Sequence, residues 1–399
     1  MKRYEILDGF RGYFLVFMLV NHLSFRGGSE IAKFNHAEFG FVQDAQGFIF
    51  ISGLIVGLYY ARGYLKGSAG AMDRKLLARA YLLFRYTLVL LALVFGLALL
   101  LPGSEAFWRP YLRSFYEDPA VTAMGAATLL YQPAYMDILP QYILYLLVSP
   151  ILIRLALKGW SFAVLCGSLF VWLAVQLGLH LPFLTAAVDI GREVDPDFAI
   201  RSSFNPFAWQ LVFVSGLLLG CAVTSGTFRT EEWFSLDRPA PFLVALGFVV
   251  VFFAYRIGFT LDLVPDALAR RFRAFDNRDE FSFIYLLNFV ALGYVVTWIL
   301  LCAGKSQLAS LRIAGRVLRR IFNWRFLRFI GRHSLQVYAY HVAVVFLVFI
   351  VDGRFGPLPE WLKAATTLAG AASLALPAWL HARRKARGAE GGGARTASA

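Results

Sequence analysis

Long apolar runs separated by short polar segments dominate the chain, and their lengths predict membrane helices rather than strands. Runs at 5–23, 39–61, 80–101, 137–157, 160–181, 206–224, 241–259, 283–303, 327–351 and 361–381 are each long enough to cross a hydrocarbon core about 30 Å thick. The expected fold is therefore all-α, a polytopic integral membrane bundle of about ten transmembrane helices within residues 1–381. Residues 382–399 read as a basic, Gly/Ala-rich disordered tail. One stretch between the runs has a different period. LASLRIAGRVLRRIF at 308–322 alternates apolar residues with arginines at helical spacing, the pattern of a helix lying on an anionic leaflet. GLLLG at 216–220 has the small-residue spacing of a close helix–helix contact.

Composition agrees with lipid as the covering solvent. Of 399 residues, 59% are hydrophobic and 16% charged, against roughly half and a quarter in soluble chains. A net charge of +14 raises the question of nucleic acid, but the distribution of the basic residues answers it. They concentrate in alternate loops: Arg62, Lys66, Arg74, Lys75 and Arg79; Arg154 and Lys158; Lys305, Arg312, Arg316, Arg319, Arg320 and Arg325; then Arg383, Arg384, Lys385 and Arg387. That asymmetry marks the cytoplasmic side, puts both termini there, and needs no polyanionic partner. The opposite loops are longer and carry Glu105, Glu117 and Asp118, then Asp189, Glu193, Asp195 and Asp197, then Asp262, Asp266, Asp276, Asp279 and Glu280. Trp108, Tyr111, Phe115 and Tyr116 suit an interfacial segment there. Cys166, Cys221 and Cys302 lie in apolar runs without paired or metal-type spacing, as small core residues would. Asp8 and Arg11 interrupt the first run, which argues against a cleavable signal peptide.

Candidate chemistry sits where hydropathy alone would exclude it, because ionisable groups inside a span are costly and usually face the bundle interior. In YEILDGFRGYFLVFMLVNHL, Asp8 and Arg11 can pair along one face. Arg11 and His22 are eleven residues apart, about 20° from alignment and about 16 Å along the axis. As ordinary structure these would be a buried ion pair and an interfacial histidine. Gly12 permits close helix approach. The second run opens with Asp44 and Gln46 and holds Ser52 deeper; Asp44 suits a helix cap as well as a site, and Ser52 suits packing. In the fourth run Asp137 is a candidate cap, with Gln141 and Tyr142 following; Tyr142 also fits an aromatic belt. Asn205 and Pro206 suit the start of the sixth, which carries Gln210 into the bundle as glue or as a substrate contact. In the ninth, Ser334 and His341 share a face, whereas Arg332 and His341 oppose each other. His36, His180, His333 and His381 lie near ends or loops and carry no assigned role. No metal-ligand spacing, phosphate loop or nucleophile elbow is present in the sequence.

Taken in order, LDGFRG…H of the first run, QDAQGFIFISG of the second, DILPQY of the fourth and GRHSLQVYAYH of the ninth resemble the OpgC family. That family consists of bacterial polytopic membrane proteins related to the acyltransferase-3 superfamily, and the likeness extends to about residue 380. The resemblance implies transfer of an acyl group, succinyl in the founding activity, onto osmoregulated periplasmic glucans, from the inner membrane. The wider superfamily has an Arg and a His eleven apart in its first helix, which maps onto Arg11 and His22 and makes His22 the expected catalytic residue, with Arg11 and Asp8 beside it. Asp44, Gln46, Ser52, Gln141, Tyr142, Gln210, Arg332, Ser334 and His341 are the candidate substrate-binding residues. No tightly bound cofactor is expected. An acyl-CoA such as succinyl-CoA would be the co-substrate, with membrane lipid and a periplasmic glucan or other glycan as partners, and no nucleic acid. The competing reading is a multi-spanning transporter or glycolipid flippase that uses the same charges as a relay.

Overall fold

A computed structural model of the chain describes residues 4–194, 203–273 and 275–396. Asp195 and Asp197 of the acidic loops lie outside the described residues. The described chain is all-α. Its helices run α1 Glu5–His22, α2 Asp44–Leu65, α3 Ala69–Leu100, α4 Glu105–Glu117, α5 Pro119–Ala127 and α6 Ile138–Leu155. They continue with α7 Ser161–Gln176, α8 Leu181–Val194, α9 Pro206–Ser225, α10 Thr230–Trp233, α11 Ala240–Thr260 and α12 Asp266–Arg273. Last come α13 Phe283–Cys302, α14 Ala309–Phe322, α15 Arg325–Arg332, α16 Ser334–Phe355, α17 Glu360–Ser373 and α18 Ala375–Thr396.

Among the described residues, seven helical stretches are long and apolar enough to cross a membrane. One of them, Ile138–Gln176, has 39 residues, which would extend about 58 Å as a straight helix, nearly twice the hydrocarbon thickness. It turns at Gly159, whose φ of 91° belongs to the left-handed region, between the two spans expected there. The first run is not among the seven: α1 carries Glu5, Asp8 and Arg11. Large apolar side chains lie exposed along α7 (Phe162, Phe170, Leu173) and α11 (Leu243, Val244, Val251). A water-soluble protein rarely exposes such continuous apolar faces, and here they are the surface that lipid covers. The chain is a multi-pass membrane protein.

Several boundaries differ from the sequence pattern, each for a local reason. The ninth run is two helices, because His333 leaves helical geometry (φ −112°, ψ 30°) between α15 and α16. The tenth also divides, at Leu374, whose backbone stays αR (φ −59°, ψ −20°) three residues before Pro377 removes a helical N–H. α18 continues to Thr396, past the residue where a tail was expected; Ala, Arg and Lys favour helix as far as Arg387, whereas Gly388, Gly391, Gly392 and Gly393 do not. α3 starts a full three turns earlier than its apolar run, because Met72, Leu76, Ala80 and Leu83 give its first half one buried stripe. Trp108 and Phe115, expected at an interface, are buried core residues of α4, and Phe115 stacks on Phe95 at 4.1 Å. Cys221 and Cys302 are buried, but Cys166 is exposed.

The chain divides into two units, Met1–Asn35 with Arg316–Ala399, and His36–Gly315. In the second unit the principal seam joins α2 to α9. A Cβ on Gly53 or Gly57 would come 2.1 Å from the Phe213 carbonyl oxygen or 2.2 Å from that of Leu217, and Gly216 and Gly220 meet the backbone of α2 in the same way. These glycines let two backbones touch, which is how membrane helices gain packing energy without a hydrophobic drive between them. The GLLLG spacing therefore serves packing, as its period suggests.

The first unit has the same device. A Cβ on Gly9 would sit 1.6 Å from the Phe322 oxygen, on Gly12 2.0 Å from the Leu327 oxygen, and on Gly331 1.8 Å from the Asp8 oxygen. α1 thus lies backbone to backbone against α14–α15. We expect Gly12→Ala and Gly331→Ala each to lower stability by about 1–3 kcal/mol or more, the usual cost of overpacking. Thermal unfolding of the purified protein in detergent checks this; an unchanged midpoint for both variants would contradict the crossing.

Candidate functional site

The residues that sequence reasoning placed on α1 meet α15 and α16 within the first unit. α1 buries Asp8, Gly9, Gly12, Leu15, Met18 and Leu19, a stripe of helical period. α16 buries Ser334, Leu335, Tyr338, His341, Val345 and Asp352 on its own stripe. Ser334, His341 and Asp352 are separated by seven and eleven residues, both close to whole numbers of turns, so they share one face.

Three polar rungs join these two stripes. The Arg11 guanidinium donates to Ser334 Oγ at the start of α16. His22 Nδ1 and His341 Nε2 face each other at 3.1 Å, with ring centroids 5.3 Å apart. Beyond the end of α1, the Arg26 backbone N–H donates to Asp352 Oδ2 at 2.8 Å. The rungs ascend together on both helices, so α1 and α16 run in the same direction. Arg11 and His22 are about 16 Å apart along one axis, Ser334 and His341 about 10 Å along the other. The length of the arginine side chain accommodates the difference.

The lower rim is ionic. Glu5 bridges Arg328 and, at 3.0 Å, Arg332; Arg332 Nε also lies 3.6 Å from Asp8 Oδ2. Asp8 is 4% exposed, so this carboxylate is buried with cations close by, as low-dielectric surroundings require. Arg332, half-buried, belongs to α15 and holds the start of α1 rather than standing along the face of His341. His341 itself is 0% exposed. Its Nδ1 donates to the Tyr338 carbonyl, so both ring nitrogens are engaged.

The remaining candidates lie in the second unit, and several are spent on holding helices together. Gln46 is fully buried, accepts from the Gln43 backbone N–H and donates to the Phe41 carbonyl, forming a capping box. Gln141 donates to the Phe204 carbonyl at 2.7 Å. Gln210 exchanges two bonds with Ser168, accepting at 2.6 Å from its hydroxyl and donating at 2.7 Å to its carbonyl. These amides satisfy backbone and hydroxyl groups that lipid could not. Tyr142 sets its ring edge-on to Phe213. Ser52 is buried, its hydroxyl without a hydrogen-bond partner among the described residues. Asp137 is buried at the start of α6 but makes no side-chain cap.

Four groups escaped the sequence reading. His36 Nε2 lies 3.4 Å from Asp44 Oδ1, brought there by a turn that no helical period encodes. His333 and His381 meet at 2.8 Å and tie α15 to α18. Lys363 is buried, donating to the Gly28 carbonyl and to Glu360, both at 2.7 Å. Asp352 was detectable, since it stands eleven residues beyond His341, the interval that separates Arg11 from His22.

A family profile described as OpgC protein matches residues 3–386, nearly the whole chain. Neither a curated protein nor a solved structure matches it.

Burial pushes His36 down to about 4 from its ordinary 6.5, so at neutral pH Asp44 stands beside an uncharged ring. The unfolded chain then takes up this proton first as pH falls. The stabilising contribution is intact above about pH 6.5 and is lost towards about pH 4, amounting to roughly 3 kcal/mol at full extent. We expect His36→Gln to flatten the fall of thermal stability across that window. Parallel pH curves for wild type and variant would count against it.

Proposed function

We propose that this chain, which belongs to the OpgC family as its match over residues 3–386 shows, is a membrane O-acyltransferase. It moves an acyl group, succinyl as the favoured case, from a cytoplasmic acyl-CoA to hydroxyl groups of a periplasmic glucan. The reading places it in the bacterial inner membrane with about ten spans and both termini cytoplasmic, as the basic loops favour.

The observation that carries the reading is the ordering of Arg11 and His22 on one stripe of α1, each bridged to α16. With the chain oriented by its basic loops, Arg11 lies nearer the cytoplasmic face and His22 nearer the outer one. An acyl-CoA is polyanionic and approaches from the cytoplasm, where a guanidinium offers charge-assisted hydrogen bonds to phosphate or carbonyl oxygens. Arg328 and Arg332 lie at the same end, where Glu5 and Asp8 offset their charge. The thioester is already activated. The acceptor hydroxyl is a poor nucleophile until it loses its proton, and histidine is the side chain suited to take it. The hydroxyl oxygen attacks the thioester carbonyl, the C–S bond breaks, and the thiolate recovers the proton from His22.

Two substitutions test this with an acyl-CoA and glucan assay on the purified protein, backed by mass spectrometry of periplasmic glucan. His22→Ala is expected to lower the transfer rate about 100- to 10,000-fold, the range of a general base. Arg11→Ala is expected to raise the KM for the acyl donor about 10- to 100-fold through lost charge-assisted bonds. Normal acylation by folded His22→Ala would sink the mechanism. Net glucan movement into vesicles without acyl transfer would favour a transporter instead.

A further inference from the structure

The two-histidine rung specifies more than proximity. A carbonyl oxygen only accepts hydrogen bonds, so the bond from His341 Nδ1 to the Tyr338 carbonyl requires a proton on Nδ1. A neutral imidazole has one N–H, which leaves the lone pair of His341 on Nε2. That lone pair faces Nδ1 of His22 at 3.1 Å. A hydrogen bond there requires His22 to donate from Nδ1, and a neutral His22 then holds its own lone pair on Nε2. The chain of donors and acceptors has a single consistent direction: His22 Nδ1–H to His341 Nε2, and His341 Nδ1–H to the Tyr338 carbonyl.

The alternative is a doubly protonated His341. Both its nitrogens would donate, His22 Nδ1 would have to accept, and the lone pair of His22 would be used up within the protein. His341 is 0% exposed, packed against the Tyr338 ring, and Tyr338 is 1% exposed. A charged ring placed there loses its hydration. The neutral relay is the arrangement that burial favours.

We infer that His341 is a positioning residue that locks His22 in the Nδ1–H tautomer and presents Nε2 as the basic nitrogen. This rests on the acyltransferase reading for its purpose, though not for its geometry. In the transfer step His22 Nε2 takes the proton of the acceptor hydroxyl as the oxygen bonds to the thioester carbon. The transient imidazolium keeps its Nδ1–H bond to His341, and the thiolate released by C–S cleavage then receives the Nε2 proton. The logic is that of the orienting acid in a Ser–His–Asp triad, with a carbonyl-backed neutral histidine in place of the carboxylate. The same fixing of one imidazole nitrogen by a neighbour orients metal-bound histidines.

The test combines kinetics with a direct reading of the proton. In full-length protein reconstituted in nanodiscs, with succinyl-CoA and a linear glucan, His341→Phe should lower kcat about 10- to 100-fold, the usual cost of losing an orienting partner. The donor KM should be unchanged. His341→Gln, which returns an acceptor oxygen near the Nε2 position, should recover most of the lost rate. A purely structural role predicts no such rescue. Independently of activity, ¹⁵N-histidine NMR should show His22 protonated at Nδ1 in the wild type and a shifted tautomer balance in His341→Phe. With six histidines in the chain, comparison with His22→Ala assigns the signal. A proton on His22 Nε2 in the wild type overturns the inference, as does wild-type kcat in a folded His341→Phe. If the protein transfers no acyl group while His22 proves to be Nδ1-protonated, the acyltransferase reading fails and the relay stands.

Discussion

The backbone crossing of α1 with α14–α15 at Gly9, Gly12 and Gly331 is the contact on which the polar site depends. Without Cβ atoms at these positions, the carbonyl oxygens of Phe322, Leu327 and Asp8 come within reach of the opposing backbone. Only at that separation can Asp8 reach Arg332 and Glu5 reach Arg328. α16 follows α15 after a single break at His333, so the same crossing sets the register in which Arg11 meets Ser334 and His22 meets His341. A methyl group at the crossing would disturb every rung above it.

The second constraint is solvation. A polar group on a helix wall facing lipid has no water to bind, so each must find a partner inside the protein. The two units meet this requirement with different leading contacts, although the second also holds the His36–Asp44 contact. In His36–Gly315, the amides of Gln46, Gln141 and Gln210 are consumed by backbone carbonyls and a serine, and their polarity holds helices in register. In the first unit the partners are themselves ionisable. A ladder of Arg–Ser, His–His and backbone–Asp contacts keeps its members hydrogen-bonded while retaining groups that can bind an anion or move a proton. The proposed mechanism draws on this ladder between α1 and α16.

Much of this was legible in the chain. The length and apolarity of the runs determined that the protein is helical and crosses the membrane, because no other backbone arrangement in such sequences satisfies its hydrogen bonds in lipid. Period alone put Arg11 in line with His22 and Ser334 in line with His341, and it placed GLLLG at a helix seam. Breaks were less visible to hydropathy, which reads straight through His333 and Leu374, although Gly331 and Pro377 stand within three residues of them. Trp108 illustrates the opposite error, since an aromatic beside charges looks interfacial until a packed neighbour covers it.

Sequence by itself determined which residues share a stripe on their own helix, because that follows from 3.6 residues per turn. It could not determine which stripe faces which. That α1 and α16 run in the same direction, and that His22 meets His341 and not Arg332, are decisions of the tertiary structure. They depend on where two helices more than three hundred residues apart come to rest, and on the few ångströms that glycine backbones allow. Hydrogen-bond direction is a property of the assembled pair, and neither histidine carries it alone.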